Sequence, residues 1–401
     1  MKALFTVQPS TGHLHPLVPL ANALSAAGHE VAVCSASSFR SEVEAFGLRH
    51  FDAGLDWLTS DHSTWNRFPP MPPPGPEFAE FVVKIFADIT TGQMATDLLR
   101  VAREFGPDII VRESMEYGGC IAAEVLGIPH ASVAGNAYSA VDSPRIHYFP
   151  GNRRMVGEPL DRHRKSFGLS PDPEIRMPFR YLHLCFTPQS WDGIDSPRPN
   201  NSRFLRHVNT MHPGETLPNW INDLPLPNRP IVLASLGTVF NKTPGILEAI
   251  IDAIGREDVN LIVAIGRDEN PKRFGSLRSN VRLEAYVPQA LLLPYCDVFI
   301  THGGFNSVKE SLIAGVPMVV VPITADQPYS AERCAALGVG QAVPSGKRNA
   351  TAIRDAFLDV LGDDAYRTRA RAFQCEMESL PDIRHAVGLM EEIAEAVPTS
   401  R

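Results

Sequence analysis

Thr301 to Gln327, reading THGGFNSVKESLIAGVPMVVVPITADQ, is the stretch from which this chain is understood. The apolar run Val298 to Ile300 reaches Thr301 as a short buried strand, His302-Gly303-Gly304 forms a tight turn, and Asn306 and Ser307 open a helix. That order of elements aims unpaired backbone N–H groups and the positive end of a helix dipole at the turn, and paired glycines let an anion approach the main chain. His302, Asn306 and Ser307 add side-chain donors for the same oxygens. The helix start alone has a second explanation: Asn306 or Ser307 caps it, and Ser307 with Glu310 has the S-x-x-E spacing of a capping box. Capping accounts for neither the glycine pair nor the histidine, nor for Gly315-Val316-Pro317 and Asp326-Gln327 around the next strand.

Outward from this stretch, short apolar runs alternate with helical patterns in both halves, the pattern of parallel sheets built from strand-helix-strand units. Strands are expected at Ala3 to Val7, Glu30 to Cys34, Asp108 to Val111 and His130 to Val133, then at Ile231 to Ser235, Asn260 to Ile265, Val298 to Thr301 and Met318 to Pro322. Helices are expected at Leu14 to Ala27, closed by Gly28, and near Gly119 to Leu126. A chain of 401 residues exceeds what one core organises. The reading is therefore an α/β protein of two doubly wound domains, 1–211 and 231–382, joined by a proline-rich linker, 212–230, with a last helix in 383–401. The proline cluster Phe68 to Pro76 reads as an exposed loop, with a substrate-binding role as the alternative.

Composition narrows the classes. Hydrophobic content of 44% and charged content of 20% are those of a globular protein, and a net charge of -8 without a basic stripe excludes nucleic acid as the expected partner. Cys34, Cys120, Cys185, Cys296, Cys334 and Cys375 form no C-x-x-C pair and read as reduced core thiols. The N-terminus begins directly with a strand, and no apolar run approaches the roughly 20 residues of a spanning helix. A cytoplasmic enzyme without a membrane span is expected.

With Tyr286-Val287-Pro288-Gln289 upstream, the quoted stretch resembles the nucleotide-sugar signature of inverting, small-molecule glycosyltransferases of the GT-B fold. This is glycosyltransferase family 1, which includes plant secondary-metabolite and actinomycete antibiotic enzymes. The resemblance implies two Rossmann-like domains facing across an interdomain cleft, the first holding the acceptor and the second the donor, with the C-terminal helix crossing back to the first. It implies that Tyr286, a tryptophan in the family, stacks on the base at a gain of roughly 1 kcal/mol beyond burial, while the main chain at Val287 reads its edge. Tyr286 as ordinary core is the alternative. By the same resemblance His302, Gly303, Gly304, Asn306 and Ser307, with Thr238 of the Ser235-Leu236-Gly237-Thr238 turn, hold the diphosphate. Gln289 and Glu310 hold the ribose hydroxyls, and Asp326 and Gln327 the transferred sugar.

The first strand-helix loop, Ser10-Thr11-Gly12-His13-Leu14-His15-Pro16, supplies a general base. The family's position after the loop glycine selects His13, leaving His15 as a neighbour that competes; a helix start beside it would favour a neutral imidazole. A carboxylate behind that imidazole is expected, with Glu113 at the end of Pro107 to Glu113 as the candidate and Glu116, one helical turn on, as the alternative; Arg112 could pair with either, and a purely structural Glu113–Arg112 ion pair is the other reading. The resemblance implies single displacement with inversion, no metal (the chain has no Asp-x-Asp pair) and no cofactor beyond the nucleoside-diphosphate sugar. Thr324 stands where relatives using common hexoses often carry an aromatic residue, which points to a TDP-deoxysugar or aminosugar, with a UDP-hexose as the alternative. Tyr138 to Met177 mixes Tyr, Phe, Met and Arg without clear period and suits either a pocket for a hydrophobic aglycone acceptor in antibiotic biosynthesis or a packed irregular core. A sugar-nucleotide epimerase and a silent partner protein are the rival functions, and a homodimer is left open.

Overall fold

The structure is a computed structural model that describes residues 1–57, 68, 69, 72, 76–137, 153–238 and 243–397. In the first half, strands β1 (Lys2–Thr6), β2 (Glu30–Ser35), β3 (Arg49–Asp52), β4 (Ile109–Glu113), β5 (His130–Val133), β6 (Leu182–Cys185) and β7 (Ser202–Phe204) pair in parallel in the order β3-β2-β1-β4-β5-β6-β7. In the second half, β8 (Ile231–Ser235), β9 (Asn260–Ala264), β10 (Val281–Glu284), β11 (Val298–Thr301), β12 (Met318–Val320) and β13 (Gly340–Ala342) follow the order β10-β9-β8-β11-β12-β13, again all parallel. The central strands, such as β1, β5, β8 and β11, are buried along nearly their whole length, as helices on both faces of a parallel sheet require, while the edge strands β3, β7 and β10 carry exposed residues.

The described helices of the first half are α1 (Thr11–Leu14), α2 (Val18–Ala26), α3 (Arg40–Glu44), α4 (Pro76–Val83), α5 (Thr90–Phe105), α6 (Gly118–Leu126) and α7 (Arg153–Ser166). Those of the second are α8 (Ile246–Ile254), α9 (Gln289–Leu292), α10 (Phe305–Ile313), α11 (Gln327–Leu337), α12 (Ala350–Gly362) and α13 (Asp364–Ser379), and α14 (Ile383–Ala396) ends the chain's described structure. Two compact units result: Met1–His212 with the chain from Leu380 onward, and Pro213–Ser379. In the first, Leu20, Ala21 and Leu24 of α2 bury against Phe5, Val33 and Val111 of the sheet together with Ala386, Val387 and Met390 of α14. On the other face Leu98, Val101 and Phe105 of α5 and Ala122 and Ala123 of α6 cover Leu4, Ala32 and Ile110. The second unit is packed likewise, with Leu247, Ile250 and Ile254 of α8 and Ile353 and Phe357 of α12 over Leu233's neighbours Val232 and Ala234.

In each sheet the chain starts in the middle, lays two strands to one side, then returns to lay the rest on the other. The crevice at the carboxyl ends of the strands flanking that reversal is where open α/β sheets bind ligands. The reversal lies between β1 and β4, where Thr6 pairs with Arg112, and between β8 and β11, where Ser235 pairs with Thr301.

Several expectations change. The helix expected from Leu14 to Ala27 is split: α1 ends at Leu14 and α2 begins at Val18, because Pro16 has no N–H to continue the ladder, whereas Pro19 is tolerated in the first turn of α2. Residues 213–230 are built into the second unit, Asn260 bonding both the N–H and the carbonyl of Leu226 and Arg282 lying over Trp220. Part of the stretch Tyr138 to Met177 is regular, since α7 runs through it with Pro159 inside; residues 138–152 lie outside the described residues, as does most of Phe68 to Pro76. Five cysteines are buried, but Cys375 is exposed. No described helix is long and apolar enough to cross a membrane.

Candidate active site

At the reversal of the first sheet, the loop leaving β1 turns into α1 and brings His13 over the end of β4. His13 Nδ1 lies 3.0 Å from Glu113 Oε1, the carboxylate fully buried and the imidazole partly exposed. The contact is a close approach of an imidazole nitrogen to a carboxylate oxygen; catalytic hydrogen bonds commonly align only when substrate is bound. Glu113 Oε2 accepts the N–H of Met115 at 2.6 Å, which fixes the carboxylate's plane. His13 is the third residue of α1, a single turn of four residues in which the first and last turns coincide, so the helix end does not by itself decide the charge of the ring.

The structure separates the two glutamates. Glu116 accepts from the Thr6 hydroxyl and from the N–H groups of Gly118 and Gly119, closing the start of α6, and burial pushes its carboxyl upward. A Cβ on Gly118 would stand 2.8 Å from Glu116 Oε1, so glycine is what admits that closure. Arg112 pairs with neither carboxylate: Nη1 donates to the carbonyls of Glu113, Ser114 and Glu116 and Nη2 to Pro178, clamping the turn that carries Glu113. His15 is turned toward Phe46 and His212, with ring centroids 5.8 and 5.6 Å away.

At the reversal of the second sheet, the turns after β8 and β11 close around His302. A Cβ on Gly237 would meet its ring at 2.7 Å and one on Gly304 at 2.5 Å, so the imidazole fills space that only two glycines leave. Burial lowers His302 to about 4, so near neutral pH its ring is uncharged and offers a single N–H. Gly303, at φ 88°, would set a Cβ 2.7 Å from Val320, and its N–H donates to Thr301 Oγ1. Thr238 is exposed beyond Gly237.

The N-cap of α10 is Gly304, with no side-chain cap. Asn306 and Ser307 therefore lie inside the first turn, and the capping-box reading of Ser307 and Glu310 does not hold. A tertiary partner replaces it: Gln289 Nε2 lies 2.7 Å from Glu310 Oε2 and 3.2 Å from Ser307 Oγ. Burial pushes Glu310 up to about 7. Tyr286 is not core. It is 40% exposed, with the Arg267 guanidinium 4.1 Å from its ring centroid and its hydroxyl donating to Glu215; Val287 beside it is buried. Neither Arg267 nor Glu215 was legible in sequence, since no local spacing links them to Tyr286.

Asp326 and Gln327 begin α11 next to the turn, the Gln327 carbonyl 3.3 Å from where a Gly303 Cβ would be. Gln327 Oε1 accepts the N–H groups of Ile323 and Thr324, leaving only its amide N–H groups for a ligand. Ala325 between them is in the left-handed region at φ 56°, strain of order 1 kcal/mol held by this loop. Thr324 is 5% exposed. Among the described residues no three His, Cys, Asp or Glu side chains are grouped to hold a metal ion.

The candidate site thus lies at two reversal crevices, one with an imidazole beside a buried carboxylate and one with a glycine-opened turn against a helix start. Residues 248–393 match the family model described as erythromycin biosynthesis protein CIII-like, C-terminal domain. The chain is 30% identical over 390 residues to L-demethylnoviosyl transferase of Streptomyces niveus, covering 95% of each. It is 28% identical over 429 residues to 4'-demethylrebeccamycin synthase of Lentzea aerocolonigenes, covering 97% of this chain and 99% of the relative. The structure of glycosyltransferase VinC in complex with dTDP superposes with a TM-score of 0.80 at 25% identity, over 99% of this chain and 100% of that one. The chain belongs to glycosyltransferase family 1, among its antibiotic-type members of GT-B fold. It is a glycosyltransferase, which favours transfer over the epimerase and silent-partner alternatives.

Proposed function

We propose that this enzyme moves a deoxysugar or aminosugar from a TDP donor to a hydroxyl of a hydrophobic natural-product aglycone, with inversion and with neither metal nor cofactor. The observation that carries the reading is the His13–Glu113 pair at the crevice of one sheet, in a chain whose other sheet has the His302–Gly304 turn at its own crevice. His13 Nε2 takes the acceptor's proton as its oxygen bonds to the anomeric carbon, and the bond from that carbon to the diphosphate oxygen breaks, its electrons leaving with TDP. Glu113 stabilises the imidazolium so formed. The N–H groups at the start of α10, with Asn306, Ser307 and Thr238, take up the leaving charge. Glu310 and Gln289 receive the ribose, and Asp326 with the Gln327 amide the sugar. Support for TDP comes from the dTDP complex of VinC and from Thr324, whose small buried side chain replaces the aromatic residue of common-hexose enzymes.

The test is a matrix of TDP- and UDP-sugars against hydroxylated polycyclic aromatic and macrolactone aglycones, followed by nucleotide release, product mass and the anomeric coupling constant. Transfer from UDP-hexoses with none from any TDP-sugar would overturn the donor reading; retention of configuration would overturn the single displacement. A smaller effect is expected at the donor turn. Ser307→Ala removes one hydrogen-bonding hydroxyl but no cap, so TDP affinity measured by titration calorimetry falls about 2- to 10-fold with little change in melting temperature. A lowered melting temperature with unchanged affinity would return Ser307 to a structural role.

A further inference from the structure

The helix that covers the base is irregular where it passes His13. Between α4 and α5, Lys84–Ile89 forms a π-turn, an uncommon geometry that appears mostly at functional sites. Side chains from outside the turn stabilise it. The carbonyl of Phe86 accepts from the hydroxyls of Thr90 at 3.2 Å and Thr91 at 2.8 Å, and the carbonyl of Asp88 accepts from His163 Nε2 of α7 at 2.7 Å. Gly92 leaves the room that His163 occupies, since a Cβ there would stand 2.8 Å from its ring.

This turn delivers one ring to the base. Phe86 stacks on the His13 imidazole with centroids 5.8 Å apart and planes 18° from parallel, and Trp57 meets the Phe86 ring edge at 4.9 Å. Trp57 Nε1 donates to Gln8 Oε1 at 2.9 Å, and Gln8 Nε2 donates to Thr90 Oγ1 at 3.2 Å. Gln8 belongs to the loop that carries His13 out of β1. Base loop, tryptophan and π-turn are therefore joined in one ring of contacts, with Gln8, Trp57, Phe86, Thr90 and Thr91 all buried.

Glu113 lies against one nitrogen of His13, and Phe86 lies near-parallel against the face of the ring itself. A misplacement of about 1 Å in a reacting group costs on the order of 10²-fold in rate. We infer that Phe86, delivered by the Lys84–Ile89 π-turn, is a positioning residue that sets the ring plane of the His13 base. The inference rests on the reading of His13 as that base.

The experiment compares Phe86→Leu, Phe86→Tyr, His13→Ala and the double variant His13→Ala with Phe86→Leu, using the donor and aglycone pair selected by the matrix above. Phe86→Leu is expected to lower kcat about tenfold with acceptor KM and TDP affinity within twofold of the parent, and Phe86→Tyr to restore kcat to within twofold. In the His13→Ala background the same Phe86→Leu change should alter the residual rate less than twofold, because a residue acting through the base has nothing left to position. Thr91→Val, which loosens the turn without touching His13, should lower kcat two- to fivefold. An inactive His13→Ala beside a fully active Phe86→Leu would overturn the inference. So would a raised acceptor KM at unchanged kcat, or a tenfold loss that persists in the double variant, either of which makes Phe86 a wall of the acceptor site. Full activity of His13→Ala would instead remove the base assignment, and the inference with it.

Discussion

Replacing His13 with alanine is expected to lower kcat for glycosyl transfer by about 10²- to 10⁴-fold, the contribution of a positioned general base, while TDP affinity stays within twofold of the parent. In the proposed reaction the acceptor hydroxyl, which holds its proton tightly at neutral pH, gives it to this imidazole, with Nδ1 facing a buried carboxylate and Nε2 assigned to the acceptor. Nucleotide binding is assigned to the other unit, so calorimetry with TDP separates loss of the base from loss of the fold. Glu113→Gln should fall in the same range, for a reason visible in the turn. Glu113 Oε2 accepts the Met115 N–H at 2.6 Å, so a glutamine must give its carbonyl oxygen to Met115 and present its amide N–H groups to His13 Nδ1. Nδ1 then becomes an acceptor, the ring proton moves to Nε2, and the nitrogen needed to take the acceptor's proton is occupied. The same wrong-tautomer logic accounts for the large losses seen when triad carboxylates are made amides. A Glu113→Gln enzyme with parental kcat would show that the 3.0 Å contact is structural only.

Sequence carried the parallel architecture and the donor turn because both are local. Buried strands such as Ile231–Ser235 are apolar along their whole length, and His302-Gly303-Gly304 has a spacing that ordinary caps do not need. It could not choose between Glu113 and Glu116, three residues apart, since the choice is made by partners far along the chain. Thr6 takes Glu116, and His13 faces Glu113. The capping-box reading of Ser307 and Glu310 failed for the same reason: the residue that engages both is Gln289, on another helix. The π-turn at Lys84–Ile89 is hard to read from sequence, because a single wide turn only shifts the phase of the apolar pattern and does not change the composition of the helices on either side. A lysine such as Lys309 in a helical run reads as solvated, and nothing local announces that its face of α10 is covered.

Lys309→Met is expected to stabilise the second unit by about 3 kcal/mol at pH 7, from the pKa displacement converted at about 1.4 kcal/mol per unit. The side chain is fully buried, its Nζ makes no hydrogen bond among the described residues, and it lies 4.9 Å from the centroid of the Phe305 ring. Burial lowers its pKa from 10.5 to about 8, with Glu310 and Asp326 opposing the shift. A lowered pKa for a cationic group means that the unfolded chain binds the proton more tightly than the folded one. Below about pH 8 the ammonium is charged in both states and its destabilisation is complete. Between about pH 8 and 10.5 the unfolded state binds more protons, so the penalty shrinks as pH rises, and above that range it is gone. Methionine has nearly the same reach and no charge, so it fills the space without the penalty. The melting temperature of the variant should exceed that of the parent by roughly 6 to 12 °C at pH 7, and the difference should shrink as unfolding is followed upward through about pH 8 to 10. The pH dependence is what makes the result specific: improved packing alone would give a gain that does not vary with pH, and a constant gain, or none at pH 7, would show that Lys309 is not a buried charge in solution.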